Sequence, residues 1–550
     1  MNDHDKPESQ TTPDRLGLVV SGSLAGGLDV RLDSSRSVEE MAVGRYVTVQ
    51  GHRSRFFGII TDVELRAANR DIPWSLPEAT DDFAREVMAG TTTFGSLRVV
   101  PYLQVRATAD AQPEPAKTVP VHFAEVRDAS QEDVERIFGQ EDESHFIIGS
   151  PLDMEVKVCL NYQRFAERSN GVFGKSGTGK TFLARIVLAS LIQKSNAQRE
   201  ADKRVVNLVF DMHNEYGWKG TREGGSGEVK ALKQLFSASV AVFTLDTESS
   251  RRRQVATDAV VEIGYDEVEP EDIEVLRETV NLTDLAVEAG YTLERRFGRQ
   301  WIEKTLALDP SDEEEREFLQ RESIHDSSFR NLRRGLRRLE RLEFLRPHTE
   351  QNSVQTILNY LQSGKNVVLE FGRHGDNITA YVLVANLLTR RIHDRYRQQK
   401  EAAMGDRAQE PIHLVITIEE AHKFLNPQLA GQTIFGQIAR EMRKYNVTLL
   451  VVDQRPSGID TEVMSQIGTK ITCLLDSEND VDRVLEGVAE KRELKSVLAR
   501  LESRQQALIF GHAVPMPVVV RTEEYGSEES YGRFVERPFR ERLEEIYSEG

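Results

Sequence analysis

Residues 174–181 read GKSGTGKT, and this segment restricts the possible folds of the chain more than any other. It is the complete pattern G-x4-G-K-[ST]. In such a loop the glycines let backbone N–H groups turn towards a β-phosphate, the lysine places a cation against the β and γ oxygens, and the threonine hydroxyl binds Mg²⁺. We therefore predict a site for ATP and Mg²⁺ that is formed by Gly174, Lys175, Ser176, Gly177, Thr178, Gly179, Lys180 and Thr181.

The sequence around this loop predicts an α/β domain. Residues 170–173 form a short apolar segment before it, and the apolar side chains of residues 182–192 share a broad helical face after it. A helix that begins at such a loop presents its N-terminus to phosphate. Four further segments are almost continuously apolar, as expected for parallel strands buried on both faces: residues 205–211, 366–371, 413–420 and 447–454.

The N-terminal part of the chain is rich in β-type segments. Short runs separated by turns predict a small β-barrel or sandwich: residues 16–22, 43–51, 56–65 and 96–107. The segment ADAQPEPAKT, residues 109–118, is typical of an exposed spacer, or alternatively of a long loop within the barrel. The predicted domains are a disordered N-terminus (1–14), the barrel (15–125), an ATPase core (150–525) and a polar C-terminal tail (526–550).

Within the core, residues 250–360 are charged and favour helices, so we predict a helical insertion there. The stretch from Arg330 to Arg341 contains six arginines interleaved with leucines. It predicts an amphipathic helix with a solvated basic face, or alternatively a helix that faces DNA. The runs at 506–511 and 514–521 predict two closing strands.

The formal net charge is −18, with 71 Lys and Arg against 89 Asp and Glu. This balance argues against a protein coated in basic surface, but it leaves room for basic groups confined to a channel. Two cysteines, Cys159 and Cys473, offer no disulfide framework, which favours a reducing compartment. A polar, acidic N-terminus and the lack of any apolar run of about 18 residues predict a soluble cytoplasmic protein without membrane contact.

Two adjacent carboxylates, Glu419 and Glu420, follow the apolar run HLVITI. In NTPases the first such acid helps to hold the Mg²⁺ hydration shell, and the second orients and deprotonates the attacking water. The alternative is a solvated acidic turn. Asp211 ends the run VVNLVFD and is predicted either to support the metal or to close a turn.

Further polar residues complete the predicted site. Gln454 ends the run VTLLVVDQ, where its amide could sense a γ-phosphate or simply close a turn. Arg168, Arg440 and Arg443 are candidates for the arginine that stabilises transition-state charge across a subunit boundary. A surface salt bridge is the alternative for each of them.

The EEAH sequence invites comparison with DEAH-box RNA helicases, but nothing after Gln454 is long enough to supply their second motor domain. The order of a β-rich module, GKSGTGKT, DMHNEYG, an insertion, LVITIEEAHKF and IAREMRKYNVTLLVVDQRPSGIDTEVMSQIGTKI resembles instead the HerA family of hexameric DNA translocases, within the HerA and FtsK group. The resemblance covers about residues 15–525. It implies an N-terminal β-barrel of the HAS type, a RecA-like P-loop ATPase core with a helical insertion, and a homo-hexamer around double-stranded DNA.

The resemblance also implies roles for residues and partners. Glu419 would be the metal-side acid, Glu420 the catalytic base and Gln454 a sensor, and Arg168 and Arg440 or Arg443 would face phosphate. The family commonly has His after the first of these arginines, where this chain has Ser169, and frequently has Asp in place of Glu419. A separate NurA-like nuclease or other effector, docked on the barrel, would work with the ring in DNA-end processing or anti-phage defence. The alternative is an ATP-dependent ring scaffold that activates an effector.

Overall fold

The computed structural model describes residues 15–69, 72, 82–88, 91–108, 111–221, 227–350, 352–406, 410–431, 433–488 and 491–534. The predicted disordered N-terminus, residues 1–14, lies outside the described residues, and so do residues 535–550 of the predicted C-terminal tail.

The described strands, in chain order, are β1 (Arg15–Ser23), β2 (Gly27–Leu32), β3 (Tyr46–Gln50), β4 (Ser54–Ala67), β5 (Thr93–Arg106), β6 (Glu114–Pro115), β7 (Glu125–Asp128), β8 (His145–Pro151), β9 (Val158–Asn161), β10 (Asn170–Phe173), β11 (Val205–Asp211), β12 (Lys219–Thr221), β13 (Glu228–Lys230), β14 (Val240–Thr244), β15 (Ala259–Val260), β16 (Ile263–Gly264), β17 (Leu345–Arg346), β18 (Asn366–Glu370), β19 (His413–Glu419), β20 (Val447–Asp453), β21 (Thr469–Thr472), β22 (Gln506–Gly511) and β23 (Val518–Thr522).

The described α-helices are α1 (Asp82–Met88), α2 (Gln131–Phe138), α3 (Tyr162–Ala166), α4 (Lys180–Ala197), α5 (Leu232–Leu235), α6 (Thr247–Arg252), α7 (Pro270–Val275), α8 (Arg277–Val280), α9 (Asp284–Phe297), α10 (Trp301–Ala307), α11 (Glu313–Arg321), α12 (Asp326–Leu339), α13 (Ser353–Gln362), α14 (Ile378–Ala403), α15 (Ile434–Glu441), α16 (Thr461–Gln466), α17 (Glu478–Val484), α18 (Lys491–Leu498) and α19 (Glu528–Gly532). None of these helices combines the length and the apolar composition needed to cross a membrane.

The chain divides into two compact units. The first combines Met1–Asn161 with Thr469–Glu523, and the second combines Tyr162–Gly468 with Glu524–Gly550. Residues 469–523, which the sequence places in the predicted core, belong to the first unit because β23 pairs with β8 in antiparallel register. The predicted domain bounds otherwise stay a prediction.

The first unit contains a closed six-stranded antiparallel barrel, which confirms the predicted β-barrel. Its strand order is β2-β1-β7-β3-β4-β5, and pairing of β5 with β2 closes it. Alternating side chains of these strands form the barrel core, among them Leu16, Val30, Val47 and Val99, each at most 1% exposed. Because β7 returns to pair with both β1 and β3, the described residues of the segment 109–118 form a loop within the barrel, which was the second alternative.

The same unit contains a second antiparallel sheet with the order β21-β22-β23-β8-β9. The predicted closing strand at 506–511 is β22, and β23 begins four residues later than the predicted start at residue 514. Pro515 and Pro517 precede β23, and proline cannot donate to a sheet ladder. The pairing of β22 with β23 therefore begins only at Val518.

The second unit is built on a parallel sheet with the order β15-β14-β18-β11-β19-β20-β10. Every residue of β11 and of β20 is buried, as expected for strands covered on both faces. The α/β core predicted from the apolar runs is confirmed. All strands of a parallel sheet end at the same edge, so the residues that follow β10, β11, β19 and β20 come together there.

Helices α6 to α13 fill most of the stretch predicted as a helical insertion. In α12, Phe329, Leu332, Leu336 and Leu339 are buried, so the helix is amphipathic as predicted. Gly335 lies on this packed face, where an added Cβ would be 2.7 Å from Leu282. Whether α12 faces DNA stays a prediction.

Candidate nucleotide-binding site

The phosphate-loop pattern lies between the end of β10 and the start of α4. Gly177 and Gly179 have left-handed backbones, with φ of 78° and 89°, and side chains other than hydrogen disfavour that region. The Thr178 hydroxyl donates to the carbonyl of Lys175 at 2.8 Å, which closes the turn. Glycine at positions 177 and 179 is therefore required by the backbone itself.

Helix α4 begins at Lys180 and runs for 18 residues, so its unpaired first-turn N–H groups and its dipole face the loop. The Lys180 ammonium donates to the carbonyl of Lys175 at 2.8 Å, which holds this cation over the loop. Thr181 follows in the first turn and is half-buried. Turned backbone, helix N-terminus, ammonium and hydroxyl together fit the phosphates of ATP.

The paired carboxylates separate because the strand ends between them. Glu419 is the last residue of β19, and Glu420 adopts a left-handed backbone with φ of 49° and ψ of 45°. Glu419 is buried, whereas the Glu420 side chain is 21% exposed. The Glu419 side chain therefore lies inside the protein at the edge of the sheet, whereas the Glu420 side chain is accessible to water.

Glu419 is held by two buried tyrosines. The Tyr216 hydroxyl donates to its Oε1 at 3.0 Å, and the Tyr381 hydroxyl donates to its main-chain oxygen at 3.2 Å. Its Oε2 is buried and accepts no hydrogen bond from the described residues. Burial, with a contribution from nearby Asp211, raises the pKa of Glu419 to about 8. A buried carboxylate oxygen without a donor fits a ligand position for Mg²⁺, either directly or through water.

Tyr216 is itself fixed by a buried cation on the phosphate-loop helix. The Arg185 guanidinium lies 5.8 Å from the ring centroids of both Tyr216 and Tyr525, and 3.6 Å from the Glu215 carboxylate. Cation–π contacts away from water are stabilising. Arg185 thus connects α4 with the tyrosine that donates to Glu419, a role that no sequence motif indicates.

Asp211 closes a turn. Its carboxylate accepts the backbone N–H groups of Glu215, Tyr216 and Gly217 at 2.8, 2.8 and 3.1 Å. This is the turn role that the sequence left open, and the predicted support of the metal stays a prediction. Burial and the neighbouring Glu370 raise the pKa of Asp211. Among the described residues, no group of three or more His, Cys, Asp and Glu side chains has the arrangement of a metal site.

A polar cluster surrounds Glu420. The Gln454 side-chain amide donates to Glu420 Oε2 at 3.4 Å. His422 Nδ1 lies 3.6 Å from the same oxygen and 3.0 Å from Asp453 Oδ2. The hydrogen bond with Asp453 raises the pKa of His422 above its usual value. The structure thus brings Gln454 to the predicted base. It adds the pair His422 and Asp453, which the sequence reasoning missed although Asp453 precedes Gln454 and His422 lies two residues after Glu420.

The predicted arginines do not join this cluster within the described chain. Arg168 is exposed, and its aliphatic stem lies against Gly468, where an added Cβ would be 2.7 Å away. Arg440 is half-buried at the end of α15, and the side chain of Arg443 lies outside the described residues. Their contacts with phosphate across a subunit boundary stay predictions.

The phosphate loop and the acids form one site because Gly174 follows β10, and its N–H donates to the carbonyl of Asp453 at 3.3 Å. In the sheet order, β20 lies between β10 and β19, so the loop, Gln454 and the two glutamates meet at one edge. This fold and site define a P-loop ATPase with a RecA-like core.

The chain is similar in sequence to HerA helicases. Residues 146–392 match the sequence model described as "Helicase HerA, central domain". The chain is 24% identical over 406 residues to the DNA double-strand break repair helicase HerA of Saccharolobus solfataricus, over 72% of each chain. It is 23% identical to HerA of Pyrococcus furiosus over 67% of this chain and 68% of that one. The chain is therefore similar to HerA helicases over 67–72% of its length, in agreement with the resemblance that its motif order indicated.

Two solved structures are similar in part. VirB4 of Thermoanaerobacter pseudethanolicus is 15% identical with a TM-score of 0.45, over 72% of this chain and 100% of that one. The bacterial conjugative coupling protein TrwB is 12% identical with a TM-score of 0.44, over 73% and 93%.

Proposed function

We propose that six copies of this chain form a ring that hydrolyses ATP and moves along double-stranded DNA, together with a separate NurA-like nuclease or other effector. The observation that supports this best is the meeting of the phosphate loop, Glu419, Glu420 and Gln454 at one edge of the parallel sheet. The curated relatives at 23–24% identity are named DNA double-strand break repair helicases, which supports DNA as the substrate. The process served is DNA-end processing or anti-phage defence.

In the proposed reaction, the loop N–H groups and Lys180 bind the β and γ phosphates and hold them in line with the attacking water. Mg²⁺, held by Thr181 and Glu419 with support from Asp211, would supply charge neutralisation at the phosphate oxygens. Glu420 takes the proton of the water, and the Gln454 amide orients both the carboxylate and the γ-phosphate. Arg168 and Arg440 or Arg443 of a neighbouring copy stabilise the charge that develops during transfer.

The N-terminal barrel is the proposed docking surface for the partner. Val119, Val121 and Phe123, in the loop before β7, have relative exposures of 42%, 43% and 70%. Neighbouring exposed apolar side chains of this size are typical of protein contacts. The barrel is closed, so partner contact through this loop leaves its core intact.

Steady-state ATP hydrolysis, with and without linear duplex DNA, tests the proposal on the purified protein after native mass spectrometry has counted its subunits. We expect six subunits, strong stimulation by duplex, and loss of nucleotide binding in Lys180→Ala. The matched control is Lys365→Ala, which removes an exposed lysine whose ammonium lies 5.3 Å from the ring centroid of Tyr360.

Robust hydrolysis that ignores DNA would contradict the translocase and favour the alternative, a ring scaffold that activates an effector. If Lys180→Ala subunits still assembled and the effector stayed fully active, control of the effector by nucleotide would be contradicted, both for the translocase and for the scaffold. Absence of hydrolysis in the wild type, with nucleotide bound, would contradict an autonomous motor.

A further inference from the structure

The six arginines between Arg330 and Arg341 fall into two groups in the structure. Three of them are engaged: Arg333 and Arg338 each donate to a main-chain carbonyl of the insertion, at 3.1 and 2.9 Å, and Arg330 pairs with Asp326 at 3.0 Å. Arg330, Arg333 and Arg338 therefore have structural roles within the insertion.

The other three are Arg334, Arg337 and Arg341, and we call them the arginine stripe. All three are exposed, and within the described part of the chain none forms an ion pair or a side-chain hydrogen bond. Glu340 lies in the same turn without pairing to them and keeps a helical backbone, with φ of −56° and ψ of −20°. A step of three residues places Arg334 and Arg337 on one side of α12, and Arg341 follows in the turn just after the helix ends at Leu339.

The stripe has the dimensions of a phosphate contact. Arg334 and Arg337 are three helical residues, about 4.5 Å, apart along α12, and one DNA strand carries a phosphate every ~3.4 Å along the duplex axis, so their guanidinium groups can reach neighbouring phosphates, with Arg341 next to them in the chain. Guanidinium groups bind phosphate through paired hydrogen bonds. In a chain of net charge −18, three exposed arginines at the C-terminal end of α12 and in the turn after it form a local positive surface that attracts a polyanion.

We propose that the arginine stripe binds the phosphate backbone of duplex DNA, outside the ATP site and independently of base sequence. This inference rests on the proposed function, since it names an additional contact of the translocase with its substrate. The buried leucines anchor α12, so the stripe is a rigid surface that needs no folding step to bind.

The test is the salt dependence of duplex binding, measured by fluorescence anisotropy with a labelled linear duplex. The triple variant Arg334→Gln, Arg337→Gln, Arg341→Gln is compared with a control of equal charge, Arg251→Gln, Arg299→Gln, Arg397→Gln. The control arginines are also exposed but lie on separate segments. We expect the slope of log Kd against log salt to fall by about 2 to 3 in the stripe variant, at ~0.9 per phosphate contact, and by less than about 1 in the control.

ATP hydrolysis without DNA should be unchanged in both variants, which shows that folding and the ATP site are intact. Equal slopes and affinities in the two variants would overturn the inference while leaving the translocase in place, and would assign the stripe to another acidic partner. Wild-type protein that binds no duplex would overturn the proposed function itself, so the two failures are distinguishable.

Discussion

Asp453 holds His422 at two points. Its Oδ2 accepts the His422 backbone N–H at 2.7 Å and lies 3.0 Å from the imidazole Nδ1. The same Nδ1 lies 3.6 Å from Glu420 Oε2, and the Asp453 carbonyl accepts the N–H of Gly174 at 3.3 Å. Three successive residue pairs, Gly174 with Asp453, Asp453 with His422 and His422 with Glu420, therefore connect the phosphate loop with the predicted base.

His422→Gln should lower kcat by roughly ten- to a hundredfold, because the Glu420 carboxylate loses a neighbour that orients it. KM for ATP and the melting temperature should stay close to wild type, since the Arg455 N–H still donates to Asp453 at 2.6 Å. Steady-state kinetics and thermal denaturation measure these quantities. The control is His348→Gln, whose side chain is 78% exposed. A normal kcat with a lowered melting temperature would leave His422 with a structural role alone.

Glu420→Gln should bind ATP normally but hydrolyse it about 10²- to 10⁴-fold more slowly, because an amide cannot accept the proton of the attacking water. Isothermal titration with ATP and single-turnover hydrolysis measure the two effects. The acidic residue Glu462, exposed in α16, serves as the control when changed to Gln. Undiminished single-turnover hydrolysis would remove Glu420 as the base.

Arg253→Met should destabilise the second unit by about 3 to 5 kcal/mol, because it leaves the buried Glu370 carboxylate without its cation. The two groups are 2.5 Å apart, and the Glu370 side chain is 0% exposed. Urea denaturation measures the loss. The control Arg252→Met is adjacent and removes a 74% exposed arginine that pairs with Glu248, so it should cost less than about 1 kcal/mol. Equal losses in the two variants would show that the Arg253 pair adds nothing.

His413 should make the protein less stable in mild acid. Burial lowers the pKa of this imidazole to about 4, against a usual value near 6.5. Between these values the unfolded chain binds a proton that the folded chain does not, so stability is full above about pH 6.5 and falls as the pH drops towards 4. Compared with His413→Gln, the wild type should lose about 1 to 2 kcal/mol more between pH 7.5 and 5, measured by urea denaturation. Equal losses of unfolding free energy in the wild type and in His413→Gln over this pH range would contradict a lowered pKa of His413.

Much of the site was predictable because each part of it is a local pattern. The spacing of glycines and lysine in 174–181 specifies a turned backbone before a helix, and fully apolar runs specify strands covered on both faces. Acidic residues directly after such runs lie at the carboxyl edge of the sheet. The resemblance to HerA helicases and the barrel followed from the order and composition of these local segments.

Contacts between distant residues were decided by the tertiary structure alone. His422 meets Asp453 across 31 residues, and Tyr216 meets Glu419 across 203. Such pairs depend on which strands become neighbours, and the order β11-β19-β20-β10 is settled by the packing of whole elements. The return of β7 into the barrel and the pairing of β23 with β8 have the same origin.

The sequence by itself therefore determined the class of chemistry, because the residues that bind phosphate must be adjacent along the chain to shape one loop. The tertiary structure decided which polar groups surround that chemistry. The carboxylate of Asp211 accepts hydrogen bonds in a turn, a histidine and an amide lie next to Glu420, and three arginines in and just after α12 are exposed to solvent. Burial and long-range pairing set those outcomes, since both depend on the whole fold and neither is encoded in any single segment.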